Sequence, residues 1–221
     1  MTGLAGRGLL LGRQGFPRLY AIIDAESAAG RSVEEMVKAL LAAGVRCFQY
    51  RDKRGSSRHI LETVERLLEM VRREGGVLIV NDRADVALVA GADGVHLGQK
   101  DLAPHLARRV LKTWQRVGAS THTVEQVRRA DESSADYIAF GPIFPTTSKN
   151  APDPVVGLEG LALARQATAK PLVAIGGITV GNAGRVIEQG ADAVAVIAGL
   201  LAAADLEAQA REFLKVLADG D

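Results

Sequence analysis

The chain has one cysteine, Cys47. A single thiol excludes an internal disulfide framework and a cysteine-built zinc cage. Charge of one sign is not in excess either: 27 Lys and Arg against 26 Asp and Glu leave a formal net charge of +1. So balanced a chain has no global field for nucleic acid or an anionic membrane, and any anion site must be local. Long apolar runs are missing. The longest uncharged stretch, Pro171–Gly184, is broken by Gly and Asn and falls short of the roughly 20 apolar residues of a spanning helix. Gly8–Gly12 is far shorter than the apolar region of a signal peptide. The expectation is a cytoplasmic protein. What is present is an ordinary globular mix, 48% hydrophobic and 24% charged over 221 residues. That is enough for one domain with a sizeable core.

Residues 1–17 are rich in Gly and Arg without a sustained period and read as a flexible N-terminal arm. From residue 18 to 221 the chain alternates. Short Val- and Ile-rich runs at Leu19–Ile23, Val45–Tyr50, Val77–Val80, Gly94–Leu97, Arg116–Ala119, Asp136–Phe140, Pro171–Ile175 and Asp192–Ile197 carry the strand signal. Between them lie helical patterns. Ser32 with Glu35 three residues on makes a capping box before Val33, Met36, Val37, Leu40 and Leu41. Eight strands, each preceding a helix, predict a single-domain α/β TIM barrel with parallel strands, the doubly wound open sheet being the alternative. A near-repeat sets the polarity. Ala92-Asp93, Ala135-Asp136 and Ala191-Asp192 each join a helix end to the next strand. Those aspartates are therefore expected in structural turns, and function is expected at the opposite face, where strands end.

Strand two runs into Gln49-Tyr50-Arg51-Asp52-Lys53. Alternation places Gln49, Arg51 and Lys53 on one side, an amide and two cations suited to clamp an anion; a solvated basic turn is the plainer reading. Strand three ends in Asn81-Asp82, and strand four in Gly98-Gln99-Lys100-Asp101. Each carboxylate could be a helix cap. Together at one face, without a His or Cys cluster, they suit a hard cation such as magnesium, and beside the clamp they point to a magnesium-bound diphosphate. Strand five ends in Ser120-Thr121-His122-Thr123, where hydroxyls either bind substrate or cap the next helix. His96 reads as a packed polar residue, and His59 and His105 as surface. After strand six comes the longest loop, with Thr146, Thr147, Ser148 and Lys149, suited to phosphate or to a lid. Gly176-Gly177 after strand seven and the small-residue turn around Ile197-Ala198-Gly199 after strand eight would form a second anion site from backbone N–H groups.

The ordered set Gln49-x-Arg51-x-Lys53, Asn81-Asp82, Gly98-Gln99-x-Asp101, Ser120-x-His122-Thr123, Gly141-Pro142-Ile143-Phe144-Pro145-Thr146-Thr147-Ser148-Lys149 and Ile175-Gly176-Gly177-Ile178 resembles the thiamine phosphate synthase family over roughly residues 18–217. The resemblance implies a transferase. It would join a hydroxymethylpyrimidine diphosphate to a thiazole phosphate and release pyrophosphate. By the same resemblance, Gln49, Arg51, Lys53, Asn81, Ser120 and Lys149 would hold the pyrimidine diphosphate. Asp82 and Asp101 would bind magnesium. Thr146, Ser148, Gly177, Ile197 and Ala198 would hold the thiazole phosphate, and Arg51, Lys53 and Lys149 would act in catalysis. Ser148 stands where many relatives have Thr, which keeps the donor. Ala198 stands where relatives often have Ser, which leaves only backbone donors. A thiazole tautomerase of the same superfamily and a non-catalytic phosphate-binding barrel are the rival readings. The acidic pair argues against both. Nucleic acid and membrane are not expected partners, and a homodimer is left open.

Overall fold

Eight parallel strands close in chain order in the computed structural model, which describes residues 15–27, 30–146 and 153–218. They are β1 (Leu19–Asp24), β2 (Cys47–Arg51), β3 (Val77–Asn81), β4 (Gly94–Leu97), β5 (Arg116–Thr121), β6 (Tyr137–Phe140), β7 (Leu172–Ile175) and β8 (Ala193–Val196). β1 pairs with β2 through Tyr20↔Cys47 and with β8 through Leu19↔Val194. That closure excludes the open sheet and bears out the TIM barrel. The helices are α1 (Val33–Ala43), α2 (Ser57–Arg73), α3 (Ala84–Ala90), α4 (Pro104–Val110), α5 (Val124–Glu132), α6 (Gly157–Gln166), α7 (Val180–Glu188), α8 (Ala198–Leu201) and α9 (Leu206–Ala218). α8 is an addition to the expected pattern: β8 is followed by two helices, the first too short to show a period.

The capping box forms as expected. Glu35 N donates to Ser32 Oγ and Ser32 N to Glu35 Oε2, both at 3.1 Å. At the other end of α1 Gly44 adopts φ 105°, and Val45 N–H closes onto Leu40 O at 3.0 Å. Val45 is thereby spent on a helix cap, so β2 starts at Cys47 rather than at Val45.

Two apolar layers follow from the alternation of the strands. Outward residues such as Phe48, Leu78, Val95 and Ile138 pack under the helices with Leu40, Leu67, Leu161 and Phe213. Inward residues such as Ile22, Cys47, Val77, Ile79, Val173 and Ala193 fill the barrel. Phe16 joins this inner cluster, its ring centroid 5.3 Å from that of Tyr137 and 6.4 Å from that of Tyr20. The expected arm boundary at residue 17 is therefore too late for Phe16, which packs inside the barrel. Residues 1–14 lie outside the described residues.

The three turn aspartates repeat one device at the N-terminal face. Asp93, Asp136 and Asp192 each accept the N–H of the preceding strand, from Leu78, Val117 and Leu172, at 2.9, 2.7 and 2.8 Å. Each donates its own N–H back to the carbonyl of that same residue. Each is paired to an arginine on the helix that leads into that preceding strand: Arg72 on α2, Arg108 on α4 and Arg165 on α6. The structural reading of these residues holds, and the opposite rim is left for chemistry.

Candidate active site

The C-terminal ends of the strands surround a cavity of about 450 Å³. Its polar side comes from β1 to β5. Gln49 is buried, and its Nε2 donates to Tyr20 Oη at 2.9 Å. Arg51 reaches Asp24 Oδ2 at 2.8 Å. Tyr50, on the opposite side of β2, turns outward to Asp52 Oδ2 at 3.3 Å. The alternation expected along this segment is therefore what places Gln49 and Arg51 on the cavity wall with Asn81 and Ser120.

Lys53, Asp82 and Asp101 gather beside this wall at the ends of β2, β3 and β4, outside the cavity lining. Lys53 Nζ contacts Asp82 Oδ2. Asp82 does not cap α3, whose N-cap is Arg83 with no side-chain cap bond. It has φ 62°, the one positive value among described non-glycine residues, and its N–H extends the sheet to His96 O at 2.8 Å. An L-residue held there carries backbone strain. Asp101 does not cap α4 either, because Ala103 occupies that position. Its Oδ2 accepts Gly98 N at 2.7 Å. A Cβ at position 98 would lie 2.9 Å from the same oxygen, so the absence of a side chain at Gly98 lets the carboxylate approach this closely. Burial and a shared hydrogen bond with Asp82 raise the Asp101 carboxyl above the ordinary carboxylate range, while Gly98 N–H and Lys53 act the other way. Two touching carboxylates with no His or Cys beside them fit a hard divalent cation that completes its shell with water and phosphate oxygens. Among the described residues no group of three or more His, Cys, Asp or Glu could hold a metal alone.

At β5, Ser120 Oγ lies 2.8 Å from His96 Nε2, and Gln99 Nε2 donates to Ser120 O at 2.6 Å. Thr123 is a cap, its Oγ1 accepting Gln126 N at 3.2 Å. His122 Nδ1 lies 2.6 Å from Gly141 O, and its Nε2 lies 3.4 Å from Asp153 Oδ2. His59 is exposed, as expected, and pairs with Asp52.

The apolar side belongs to β6, β7 and β8. After β6 the chain keeps pairing with the β7 turn, through Ile143 N to Ile175 O at 2.9 Å and Phe144 N to Gly176 O at 3.0 Å. Gly176 and Gly177 have φ 100° and 64°. A Cβ on Gly176 would come 2.5 Å from Pro142 Cβ, and one on Gly177 would come 2.5 Å from Pro145 O. The pair is therefore demanded both by conformation and by the loop root lying on it. Thr146, Gly177, Ile197 and Ala198 line this end of the cavity. Ser148 and Lys149 lie outside the described residues.

The family model described as Thiamine monophosphate synthase matches residues 19–200. The chain belongs to the thiamine monophosphate synthase family. It is 50% identical over 91% of its length to a thiamine-phosphate synthase of Koribacter versatilis, covering 96% of that protein. It is 43% identical over 88% of its length to one of Chloroflexus aurantiacus, covering 90% of it. A solved thiamine phosphate pyrophosphorylase from Pyrococcus furiosus superposes with a TM-score of 0.85 at 32% identity, over 96% of this chain and 98% of the other. As a family member the chain is an enzyme, a transferase. Among the described residues no helix is long and apolar enough to cross a membrane.

Among the residues on or around this cavity, Asp24, Tyr20, Tyr137 and Asp153 escaped the sequence reading. Asp24 could have been found, because it ends β1 at the same rim as Arg51, with Asp24↔Arg51 in register. The tyrosines carried no such signal, being apolar-looking members of strand runs.

Proposed function

We propose that the enzyme joins a 4-amino-5-hydroxymethyl-2-methylpyrimidine diphosphate to 4-methyl-5-(2-phosphooxyethyl)thiazole, giving thiamine phosphate and pyrophosphate. The observation that carries this reading is the two-sided cavity. Amide, hydroxyl and guanidinium groups stand at β2–β5, and a close-approach glycine turn stands at β7 and β8. The first end suits a diphosphate on a polar heterocycle, and the second suits a phosphate held by backbone N–H groups.

The thiazole nitrogen is already a nucleophile, so no residue has to remove a proton from it. The demanding step is departure of pyrophosphate from the pyrimidine methylene carbon. Arg51, Lys53 and Lys149 would stabilise the negative charge that develops on the leaving group. Arg51 comes oriented by Asp24, so its guanidinium need not be reorganised when charge builds up. Asp82 and Asp101 would hold magnesium, which when bound supplies further neutralisation of the diphosphate. We assign a dissociative path through a pyrimidinylmethyl cation, and the β6–α6 loop would keep water from that cation.

The test is a product assay with both substrates and magnesium, reading thiamine phosphate by fluorescence after oxidation. Product that disappears with a chelator is the expected result. Absence of product from folded protein would overturn the assignment.

A further inference from the structure

A chain of side-chain hydrogen bonds crosses the barrel beneath the cavity. Gln49 Nε2 donates to Tyr20 Oη at 2.9 Å. Tyr20 Oη lies 3.0 Å from Tyr137 Oη, and Tyr137 Oη lies 3.0 Å from His96 Nδ1. His96 Nε2 lies 2.8 Å from Ser120 Oγ. Its two ends, Gln49 and Ser120, are residues assigned above to the pyrimidine. Its middle, Tyr137, is fully buried and is not on the cavity wall. The barrel makes room for it: a Cβ on Gly118 would come 2.2 Å from Tyr137 Cζ and 2.4 Å from His96 Nδ1.

The direction of these bonds follows from proton counting. Burial pushes both phenols well above their ordinary range, so each keeps its one proton. Tyr20 Oη accepts from Gln49. Within the relay every hydroxyl proton then finds an acceptor in one arrangement: Tyr20 donates to Tyr137, and Tyr137 donates to His96 Nδ1. His96 is then protonated at Nε2 and donates to Ser120 Oγ. That leaves Gln49 its carbonyl oxygen and Ser120 its hydroxyl proton for a ligand. Inverting either end requires inverting the whole relay and turning the Gln49 amide.

We propose that this relay, with Tyr137 as its positioning residue, locks Gln49 and Ser120 into presenting one acceptor and one donor together, and so selects a 4-aminopyrimidine over a 4-oxopyrimidine. The amino compound offers an N–H donor beside a ring-nitrogen acceptor. The oxo compound offers the inverse pattern, a carbonyl acceptor beside a ring N–H. This inference rests on the pyrimidine reading of the cavity. Severing the relay frees each end to turn by itself, so a severed relay binds both patterns.

The experiment measures binding of the diphosphates of 5-hydroxymethyl-2-methylpyrimidine in 4-amino and 4-oxo form, by calorimetry with magnesium, for the wild type, Tyr137→Phe and Tyr20→Phe. Tyr20→Phe cuts the same relay one bond nearer Gln49 and serves if Tyr137→Phe does not fold. The wild type should hold the amino compound at least ~30-fold tighter, since two buried hydrogen bonds would be mismatched in the other. In either folded variant that ratio should fall by about fivefold or more, while the KM for thiazole phosphate stays within about twofold of wild type. Merely structural damage would weaken both ligands alike and leave the ratio untouched. An unchanged ratio in a folded variant overturns the relay. A wild type that binds neither diphosphate overturns the pyrimidine reading instead.

Discussion

Gly118→Ala tests the interior of this barrel with one methyl group. Gly118 sits on β5 between His96 and Tyr137, in register with both. The new Cβ would stand 2.2 Å from Tyr137 Cζ and 2.4 Å from both Tyr137 Oη and His96 Nδ1. These neighbours are ring atoms in a filled core, not the free ends of flexible chains. Overpacking of this kind costs about 1–3 kcal/mol. The displaced rings also lose the Tyr137–His96 hydrogen bond, and leaving buried polar groups unmade costs about 1–3 kcal/mol more. The sum, roughly 2–6 kcal/mol, should lower the melting temperature by roughly 4–24 °C in a domain of this size. Gly181→Ala is the matched control. Gly181 lies near the exposed start of α7, and its nearest atom to a new Cβ is 3.9 Å away. There the same substitution should raise stability by about 0.5–1 kcal/mol, because alanine loses less backbone freedom in a helix. Thermal and urea unfolding of the three proteins decide it. A Gly118→Ala melting temperature within about 2 °C of wild type would refute the packing of Tyr137 against His96.

Three further outcomes follow. Asp101→Asn should shift the magnesium titration of turnover to higher concentrations while raising the melting temperature of the metal-free protein, because it removes one of two mutually repelling carboxylates; an unchanged titration would remove Asp101 from the metal site. Asp192→Asn should cost about 1–3 kcal/mol in urea unfolding, through its bonds to Leu172 N and Arg165, with kcat unchanged. Burial holds the Lys170 ammonium below the ordinary lysine range, against the opposing pull of Asp131 and Asp136. The unfolded chain therefore keeps this proton to higher pH than the folded one, and Lys170 makes stability rise with pH from its depressed value up to the ordinary lysine range; Lys170→Met should flatten that rise in urea titrations.

Most of the barrel was legible because its strands are covered on both faces and so appear as short Val- and Ile-rich runs between Gly, Asp and Pro. The elements that were not legible are those whose signal is not periodic. α8 is a single turn of helix. Phe16 is one aromatic in a Gly- and Arg-rich segment, and only its place between Tyr20 and Tyr137 marks it as core. At the site, alternation put Gln49, Arg51 and Lys53 on one side; Gln49 and Arg51 do line the cavity, whereas Lys53 lies past the end of β2, where the strand period no longer applies, and stands outside the wall. The relay could not be seen at all, because Tyr20 and Tyr137 are 117 positions apart and meet only once the barrel closes. Capping roles for Asp82 and Asp101 were plausible from neighbouring helix starts. The backbone decided otherwise: φ at Asp82 is left-handed, and the two caps fall on Arg83 and Ala103.

The contrast between the two rims rests on one residue type used in opposite ways. Asp93, Asp136 and Asp192 are each neutralised by an arginine and saturated by a strand N–H, so their charge is spent on joining one strand to the next. Asp82 and Asp101 contact each other across adjacent strand ends, with Lys53 as the cation in contact with Asp82. An arrangement in which two carboxylates meet is unfavourable for the protein alone and becomes favourable when a divalent cation enters. On the proposed magnesium reading, free energy withheld from folding at this rim would be available for binding. That is why the same Asp→Asn change should weaken the fold at residue 192 and strengthen it at residue 101, and why only the second should alter the response to magnesium.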